Sequence, residues 1–525
     1  MHDVHFLGGR VIDGSGAPEH RADVAIEGDR IVAVGDLTGQ RARRVIRLDD
    51  QVLAPGFIDI HTHCDFTLPR YPRAEAMVRQ GVTTVVGGNC SFSPFPVTPE
   101  RLDLTRSYSA FLDAGIDWDW TTAREYAARL ETLPLGCNIA LQVGHGAVRI
   151  AVMGFENRAP SSSELERMQA LIAQAMEEGA VGLSSGLIYS PSGYSDRAEL
   201  AALAEVAGRF GGFYSSHIRG EGATLLDSVT EAITVGRQAH VPVQLSHHKA
   251  VDERNWGRTR ESLALLDAAR AEGLDVLADQ YPYTAGSTTL SALLPGWAVE
   301  GGVESMQARL RDPATRSRIR EDIFKSERFG AETVLVASVP EGPFKQYEGL
   351  RLAEIASQRR QDAVDAALDL ITAEGARIGM ITFSMSEDDV RRVMRHPSVA
   401  VASDGWTLSP DAGGKPHPRS YGTYVRVLGH YVREEGVLSL EEAVRKMTSL
   451  PATRLGRRDL GRVAPGCEAD LVVFDPDTVA ETASYEDPHQ FGTGVEYVMV
   501  NGQIVIETRE DTGAAAGKVL RRVKS

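Results

Sequence analysis

The chain contains only four cysteines among its 525 residues, and they are widely separated, at Cys64, Cys90, Cys137 and Cys467. So few scattered thiols cannot form the disulfide framework of a small secreted protein. The chain also lacks an apolar run near the roughly 20 residues that a membrane helix needs. Residues 1–3 lead directly into strand-like sequence, without the basic region and apolar core of a secretion signal. We therefore expect a cytoplasmic protein.

Positive charge is also in short supply. Lysine and arginine number 56 against 72 aspartates and glutamates, which gives a formal net charge of -16 at pH 7. This balance argues against nucleic acid and anionic membrane surfaces as partners, because both attract basic proteins. With 42% hydrophobic and 24% charged residues, the composition is that of a globular enzyme. We expect a small-molecule partner, and an anionic one would have to meet a local cluster of positive side chains.

The most informative feature that is present is a histidine pair, His61-Thr62-His63, which closes the apolar run 56–60. Two histidines one residue apart point to the same side of an extended strand, as the two arms of a metal clamp would. Such pairs also occur in polar turns, so the pair alone does not decide between the two interpretations. The surroundings of the pair have to decide.

Seven further apolar runs of β type also end in residues able to do chemistry, at 82–90, 138–146, 181–187, 213–219, 241–249, 274–283 and 399–405. Amphipathic stretches of helical length lie between several of them, at 162–178, 197–209, 223–239 and 260–272. The alternation predicts an α/β fold, a (β/α)8 barrel of the TIM type, with its chemistry at the carboxyl ends of the strands. The alternative is an unrelated open α/β sheet.

The two ends of the chain differ from its middle. Residues 1–54 and 459–507 contain short alternating strands separated by glycine-containing turns, which predicts two parts of one small β-sandwich. Residues 55–458 would form the barrel. The stretch between barrel strands seven and eight, about 287–384, predicts an inserted subdomain or lid. We expect residues 508–525 to form a loosely held tail.

The strand ends offer a mixed set of candidate metal ligands: His61, His63, His217 and His247 with nitrogen, Cys90 with sulfur and Asp404 with oxygen. This combination suits zinc better than magnesium or calcium. Zinc lowers the pKa of bound water toward neutrality and polarises a carbonyl oxygen, so the set predicts hydrolytic chemistry. Asp404, on the strand that closes the barrel, is the expected catalytic base.

A second group of motifs accompanies these ligands, at 88–90 (Gly-Asn-Cys), 185–191, 216–219, 246–249, 281–283 (Tyr-Pro-Tyr), 417–423 and 447–452. The ligand pattern resembles the amidohydrolase superfamily of metal-dependent barrel hydrolases. Together with the second group, it resembles the N-acyl-D-amino acid deacylases, or D-aminoacylases, over almost the whole chain. The resemblance implies hydrolysis of a linear amide bond to a carboxylate and a free D-amino acid, and the D preference rests on it alone.

The absence of lysine from the first 248 residues supports that branch. Many two-metal relatives in the superfamily, such as hydantoinases and dihydroorotases, bridge their metals with a carbamylated lysine from a middle strand. That bridge is impossible here. Resemblance to the deacylases implies instead one tight zinc site of Cys90, His217 and His247. The same resemblance implies a weaker or partly occupied second site of His61, His63 and Asp404.

The resemblance also implies how the substrate is held. Lys249, Tyr281 and Arg419 match the family positions that bind the substrate carboxylate. For Arg419 the alternative is a surface salt bridge. Tyr189 and Ser287 are candidates for contacts near the acyl group.

The preferred amino-acid side chain can be predicted from an absence. Family members selective for acyl-D-glutamate or acyl-D-aspartate are expected to place a basic residue soon after residues 281–283, but 284–300 contains none. The segment offers instead Leu290, Leu293, Leu294 and Trp297. We therefore predict an apolar pocket and a preference for neutral, hydrophobic D-amino acids.

Two other functions stay open. The first is another amidohydrolase, acting on cyclic amides, dipeptides or acylated amines. The second is a barrel scaffold without enzymatic activity, which would be expected to lose metal ligands that this chain retains.

Overall fold

Eight buried segments pair side by side as parallel strands, and their order in the sheet follows their order in the sequence. They are β1 (Phe57–Asp59), β2 (Val82–Gly87), β3 (Asn138–Gly144), β4 (Gly182–Gly186), β5 (Phe213–His217), β6 (Val243–Leu245), β7 (Val276–Gln280) and β8 (Val399–Val401). They belong to a computed structural model that describes residues 1–326 and 329–522. The predicted (β/α)8 barrel is confirmed.

The first and last strands, β1 and β8, meet just beyond their carboxyl ends. Thr62 and Gly405 form a parallel bridge. The amide of Asp404 donates to the carbonyl of His61 at 2.8 Å, and the amide of His63 donates to the carbonyl of Gly405 at 2.9 Å. The barrel is therefore closed by the same segments that bear three of the predicted metal ligands.

Helices follow the barrel strands and cover their outer side: Glu75–Val78, Leu102–Tyr108, Ala123–Glu131, His145–Met153, Ser162–Glu177, Arg197–Arg209, Leu225–Ala239, Thr259–Ala271, Glu387–Arg395, Arg419–Arg426, Leu440–Met447 and Ser449–Arg454. A π-helical segment, Val427–Glu434, continues the helix that begins at Arg419. The helix Ser162–Glu177 illustrates which sequence features make these segments helical. Ser161 and Glu164 form a reciprocal capping box at its start, and Met168, Ile172 and Met176 form its buried face. Among the described residues, no helix combines the length and apolarity needed to cross a membrane.

Strands from both ends of the chain lie in one nine-stranded sheet: His2–Val11, His20–Glu27, Arg30–Gly35, Ala42–Arg47, Val52–Pro55, Leu471–Phe474, Val495–Val500, Gln503–Glu507 and Glu510–Asp511. The two ends also share an apolar core in which Phe6 and Leu53 pack with Leu471 and Val473. The division of the chain at residues 54 and 459 stays a prediction.

The segment between β7 and β8 has its own sheet and its own core. Three antiparallel strands, Ala285–Thr289, Gly379–Phe383 and Val334–Ser338, pair in that order. The helices of the segment are Gly296–Val299, Val303–Arg311, Pro313–Phe324, Leu352–Arg359 and Ala363–Glu374. The first strand escapes sequence analysis because Ala-Gly-Ser-Thr-Thr has no apolar alternation.

The last residues are held more firmly than a tail would be. Val519–Leu520 pairs in parallel with β3, at Ile139 and Ala140. The amide of Ile139 donates to the carbonyl of Lys518 at 2.9 Å. The expectation of a loose tail over 508–525 is therefore wrong for this part, because backbone groups near the start of β3 are free to pair there. Residues 523–525 lie outside the described residues.

A buried polar network joins the end sheet to the barrel. The Asp470 carboxylate accepts from the side chain of Asn138 at 2.9 Å and from the amide of Asn501 at 2.6 Å. The side-chain oxygen of Asn138, Oδ1, accepts in turn from the Asn501 side chain at 2.7 Å and from the backbone amide of Lys518 at 3.0 Å. Asn138 is the shared member of this network.

We predict that Asn138→Ala lowers the free energy of unfolding by about 2–4 kcal/mol, because it leaves buried donors and acceptors unpaired. Denaturant titration followed by circular dichroism measures the change. Asn157→Ala, at an exposed position, is the matched control and should change stability little. Equal stability of the two variants would show that the network does not hold the two parts together.

Candidate metal centre and substrate cavity

The predicted metal ligands converge at the carboxyl ends of the strands. Cys90 Sγ lies 3.2 Å from His61 Nε2 and 3.5 Å from His247 Nε2. His247 Nε2 lies 2.9 Å from His217 Nδ1. Cys90 therefore lies beside His61 as well as beside His247, and the family resemblance places only His247 of these two with Cys90 in the tight site.

His61 also belongs to a second group of donors. His63 Nε2 lies 3.2 Å and His61 Nε2 3.4 Å from Asp404 Oδ1. Within each of the sets His61–Cys90–His247 and His61–His63–Asp404, the donor atoms lie within 4.8 Å of one another. A third such set combines His217, Glu221 and His247. The three sets share members and form one continuous cluster.

The chemistry of these donors fits a transition metal ion of the zinc type. The cluster offers nitrogen, sulfur and carboxylate oxygen from buried side chains, with His61 fully buried. Two ring nitrogens, His247 Nε2 and His217 Nδ1, face each other, and at most one of them can bear the proton between them. His217 Nε2 and His63 Nδ1 are buried without a hydrogen-bond partner. A bound cation would satisfy the lone pairs of these donor atoms better than protons do.

Two of the donors are held as anions. Burial by itself raises the pKa of the Cys90 thiol, but the neighbouring His61 and His247 outweigh it and bring the pKa well below its ordinary value. Burial likewise opposes ionisation of Asp404, but Arg419 and His61 hold its pKa well below the usual range. A thiolate and a carboxylate are the forms in which these side chains bind metal.

The backbone is strained at three of the donors. Cys90, His247 and Asp404 have φ angles of 53°, 36° and 51°, in the left-handed region that costs a non-glycine residue about 1–3 kcal/mol. Gly88 also has a positive φ, of 78°, and a Cβ atom there would lie 2.1 Å from the carbonyl oxygen of Gln142. The glycine of the motif 88–90 is therefore required for Cys90 to reach the cluster.

Two carboxylates that orient the histidines escaped sequence analysis as site residues. Asp279 Oδ1 accepts from the amide of His247 at 2.6 Å and faces His61 Nδ1 at 3.1 Å. Glu221 Oε1 lies 3.2 Å from His247 Nδ1. Carboxylates in this position fix the ring and its tautomer so that the other nitrogen faces the metal. In the sequence, only the positions of these two residues could have indicated a role at the site, because Asp279 lies at a strand end and Glu221 lies four residues after His217.

The three residues matched to substrate carboxylate binding line the same cavity as the donor cluster. The Arg419 guanidinium lies 4.8 Å and Lys249 Nζ 5.5 Å from the centre of the Tyr281 ring. Arg419 is only 4% exposed, so the alternative of a surface salt bridge is wrong. Both cations already have acidic neighbours: Lys249 Nζ lies 2.6 Å from Glu221 Oε1, and an Arg419 nitrogen 2.8 Å from Asp404 Oδ2.

The two candidates for contacts near the acyl group, Tyr189 and Ser287, also line this cavity of about 780 Å³. The Tyr189 hydroxyl lies 2.8 Å from Thr288 Oγ1, and the Ser287 carbonyl accepts from Arg419 at 3.3 Å.

The predicted apolar side-chain pocket is not formed by the residues named for it. The structure places Leu290, Leu293 and Leu294 in the core of the inserted segment, with Trp297 packed against it. None of the four is among the residues that line the cavity. These side chains are apolar because the insertion needs a core of its own. From the same stretch, Gly286, Ser287, Thr288 and Ala292 reach the cavity.

A parallel eight-stranded barrel with clustered metal ligands at the carboxyl ends of its strands defines a metal-dependent barrel hydrolase. Comparison with known proteins identifies the family, because the amidohydrolase family model matches residues 44–506. The chain belongs to the amidohydrolase family. It is 39% identical to N-acyl-D-glutamate deacylase and 38% identical to D-aminoacylase, both from Alcaligenes xylosoxydans xylosoxydans. Each alignment covers 99% of this chain and 96% or 98% of the relative.

Solved structures agree with these relatives. A D-aminoacylase structure with a binuclear metal centre superposes with a TM-score of 0.85 at 38% identity, covering 99% of this chain and all of that one. An N-acyl-D-glutamate deacylase from Bordetella bronchiseptica, in complex with zinc and a phosphonate mimic of the tetrahedral intermediate, gives a TM-score of 0.84 at 36% identity over 99% of both chains. A D-hydantoinase, at 16% identity and a TM-score of 0.55, shares the fold.

We predict that Asp279→Asn weakens metal binding tenfold to a hundredfold, the usual effect of removing a carboxylate that orients a histidine ligand. Asp279 Oδ2 accepts from the Gln244 side chain at 2.7 Å, so the amide group would place a donor against either the His247 amide or the Gln244 side chain. Competition with a chromophoric chelator measures the affinity, and circular dichroism checks the fold. Asp103→Asn, at an exposed helical position, is the control. An unchanged affinity would mean that Asp279 does not orient the ligands.

Proposed function

We propose that this chain is a zinc-dependent N-acyl-D-amino acid deacylase. The observation that supports this most directly is the adjacency of two groups in one cavity. The donor cluster of histidines, Cys90 and Asp404 lies beside Lys249, Tyr281 and Arg419, which together suit a free carboxylate. An N-acyl amino acid has both parts that this arrangement recognises: an amide to hydrolyse and a carboxylate next to it. The D configuration is proposed from the relatives.

The proposal assigns one tight zinc ion to Cys90, His217 and His247. A second, weaker position would use His61, His63 and Asp404. The distances of His61 to Cys90 and to Asp404, 3.2 and 3.4 Å, support a continuous centre in which the two positions are neighbours. When bound, zinc supplies a Lewis acid for the acyl carbonyl and a lower pKa for water.

The substrate carboxylate is bound by the ammonium of Lys249, the hydroxyl of Tyr281 and the guanidinium of Arg419. Each charged donor has an acidic neighbour, Glu221 for Lys249 and Asp404 for Arg419. These neighbours hold the two long side chains in place before substrate arrives, which lowers the entropy cost of binding. The Tyr281 ring contacts both cations, and its hydroxyl donates a hydrogen bond to the anion.

Asp404 moves the proton. Its Oδ2 faces Arg419 and its Oδ1 faces His63, so the carboxylate is oriented on both sides. It accepts a proton from the attacking water at one of its oxygens and transfers it to the nitrogen of the departing amine. Arg419 and His61 hold the pKa of Asp404 well below its ordinary value, so the carboxylate is ionised and has oxygens that can accept a proton. Asp404→Asn removes the acceptor while preserving the size of the side chain.

For the amino-acid side chain we propose a neutral, hydrophobic preference. The strand Ala285–Thr289 presents Gly286, Ser287 and Thr288 to the cavity, without a cation. On the neighbouring strand, Met380 and Phe383 are paired with Thr288 and Ala285; both line the cavity and suit an apolar group. Two further cations line the cavity, but Arg219 is paired with Glu231 and Arg254 with Asp252, which opposes their use for a second substrate carboxylate.

The proposal predicts hydrolysis of N-acetyl-D-leucine and N-acetyl-D-methionine with little action on their L enantiomers. Release of the free amino acid measures it, in a panel that also contains N-acetyl-D-glutamate, hydantoins and dipeptides. Faster turnover of N-acetyl-D-glutamate than of N-acetyl-D-leucine would contradict the side-chain preference. Faster turnover of hydantoins or dipeptides than of any acylated D-amino acid would contradict the function itself.

The metal assignment predicts different effects for two buried cysteines. Cys90→Ala should lose most of the bound zinc, because it removes a thiolate ligand. Cys64→Ala, at a cysteine that is equally buried and lies next to His63, should retain it. Elemental analysis of the two purified variants gives the answer. Equal zinc content would exclude Cys90 as a ligand of the tight site.

A further inference from the structure

An apolar recess borders the donor cluster, formed by Phe111, Leu112, Ile188 and Tyr189, which all line the cavity. Phe92 lies behind it, fully buried. Its ring centre is 5.4 Å from that of Phe111 and 4.9 Å from that of Tyr189. The same Phe92 ring lies 6.1 Å from the ring of His63. The recess therefore adjoins the cluster through aromatic contacts.

The recess and the cationic donors adjoin different members of the cluster. Phe92 contacts His63, and the ring centre of Tyr189 is 5.3 Å from that of His217. Lys249 Nζ lies 2.8 Å from His247 Nδ1, and Arg419 contacts Asp404. A substrate with its carboxylate at the cationic donors and its amide at the cluster can extend its acyl group into the recess. This step rests on the proposed function.

Contacts within the protein hold the recess in shape. The loop that contains Ile188 and Tyr189 is fixed on both sides: the Leu187 amide donates to the carbonyl of His217 at 2.9 Å, and Arg219 donates to the carbonyl of Gly193 at 2.8 Å. The Tyr189 hydroxyl is held by Thr288 at 2.8 Å. An apolar chain that enters a preformed recess loses little free energy to reorganisation.

The size of the cavity favours a large acyl group. Its volume of about 780 Å³ is within the range of roughly 300–1,000 Å³ that encloses drug-sized ligands. An N-acetyl amino acid would leave much of this space to water. We propose that the recess of Phe111, Leu112, Ile188 and Tyr189 binds a linear acyl chain longer than acetyl, such as hexanoyl or octanoyl.

The test is a series of N-acetyl-, N-butanoyl-, N-hexanoyl- and N-octanoyl-D-leucine. We expect kcat/KM to rise with chain length, by up to roughly fourfold for each fully buried methylene. Phe111→Ala and Ile188→Ala should each reduce the octanoyl-to-acetyl ratio at least fivefold. Phe383→Ala, which removes an aromatic ring that lines the cavity from the inserted segment, is the matched control and should preserve the ratio.

Equilibrium binding separates this inference from the proposed function. Calorimetric titration of the Asp404→Asn variant with N-octanoyl- and N-acetyl-D-leucine gives two Kd values without turnover. We expect the octanoyl compound to bind at least tenfold more tightly, and a Phe111→Ala substitution in that background to remove most of the difference. Equal Kd values, or a difference that survives Phe111→Ala, would overturn the recess as an acyl site. If the wild-type enzyme hydrolysed no member of the series, the proposed function would fail, and the Kd ratio would still decide the recess.

Discussion

The pairing of the first and last barrel strands beyond their carboxyl ends is the constraint on which the rest of the site depends. Backbone bonds from Asp404 to His61 and from His63 to Gly405, at 2.8 and 2.9 Å, join two segments more than 300 residues apart in sequence. They place His61, His63 and Asp404 within hydrogen-bonding distance without relying on side chains. The strained φ of 51° at Asp404 is tolerated because these bonds determine the backbone there.

The second organising feature is the balance of buried charge. Lys249 faces Glu221, Arg419 faces Asp404, and the Cys90 thiolate faces His61 and His247. An uncompensated charge at this depth would cost several kcal/mol, so the fixed groups have to be paired among themselves. Under the proposed function, a metal dication and a substrate carboxylate would introduce opposite charges into this balanced environment. Binding of the one electrostatically favours binding of the other.

Much of the fold and of the candidate cluster could be predicted from the sequence, because both depend on local patterns. Continuous apolar runs identified the barrel strands, and the helix predicted over 197–209 occurs with those bounds. The six predicted ligands lie together because parallel strands bring their carboxyl ends to one face. The orienting roles of Asp279 and Glu221 could not be predicted, since they arise from contacts between different strands and loops.

Two other features could not be predicted from the sequence for a related reason. They are the pairing of Val519–Leu520 with β3 and the burial of Leu290, Leu293 and Leu294 in the core of the insertion. A two-residue strand has no periodicity, and an apolar side chain fits a domain core as well as a ligand pocket. Only the three-dimensional arrangement distinguishes these cases.

In this fold, different parts of the structure determine the chemistry and the substrate range. The donor cluster lies on strand ends that the barrel holds in place, whereas the cavity walls come largely from the loops after β2, β4, β5 and β6 and from the inserted segment. Walls of this kind can change without moving a ligand. The two Alcaligenes relatives illustrate the consequence, because they are 39% and 38% identical to this chain although their names differ in substrate. Overall identity therefore reports the shared hydrolytic centre, and side-chain and acyl preference have to be argued from the few residues that line the cavity.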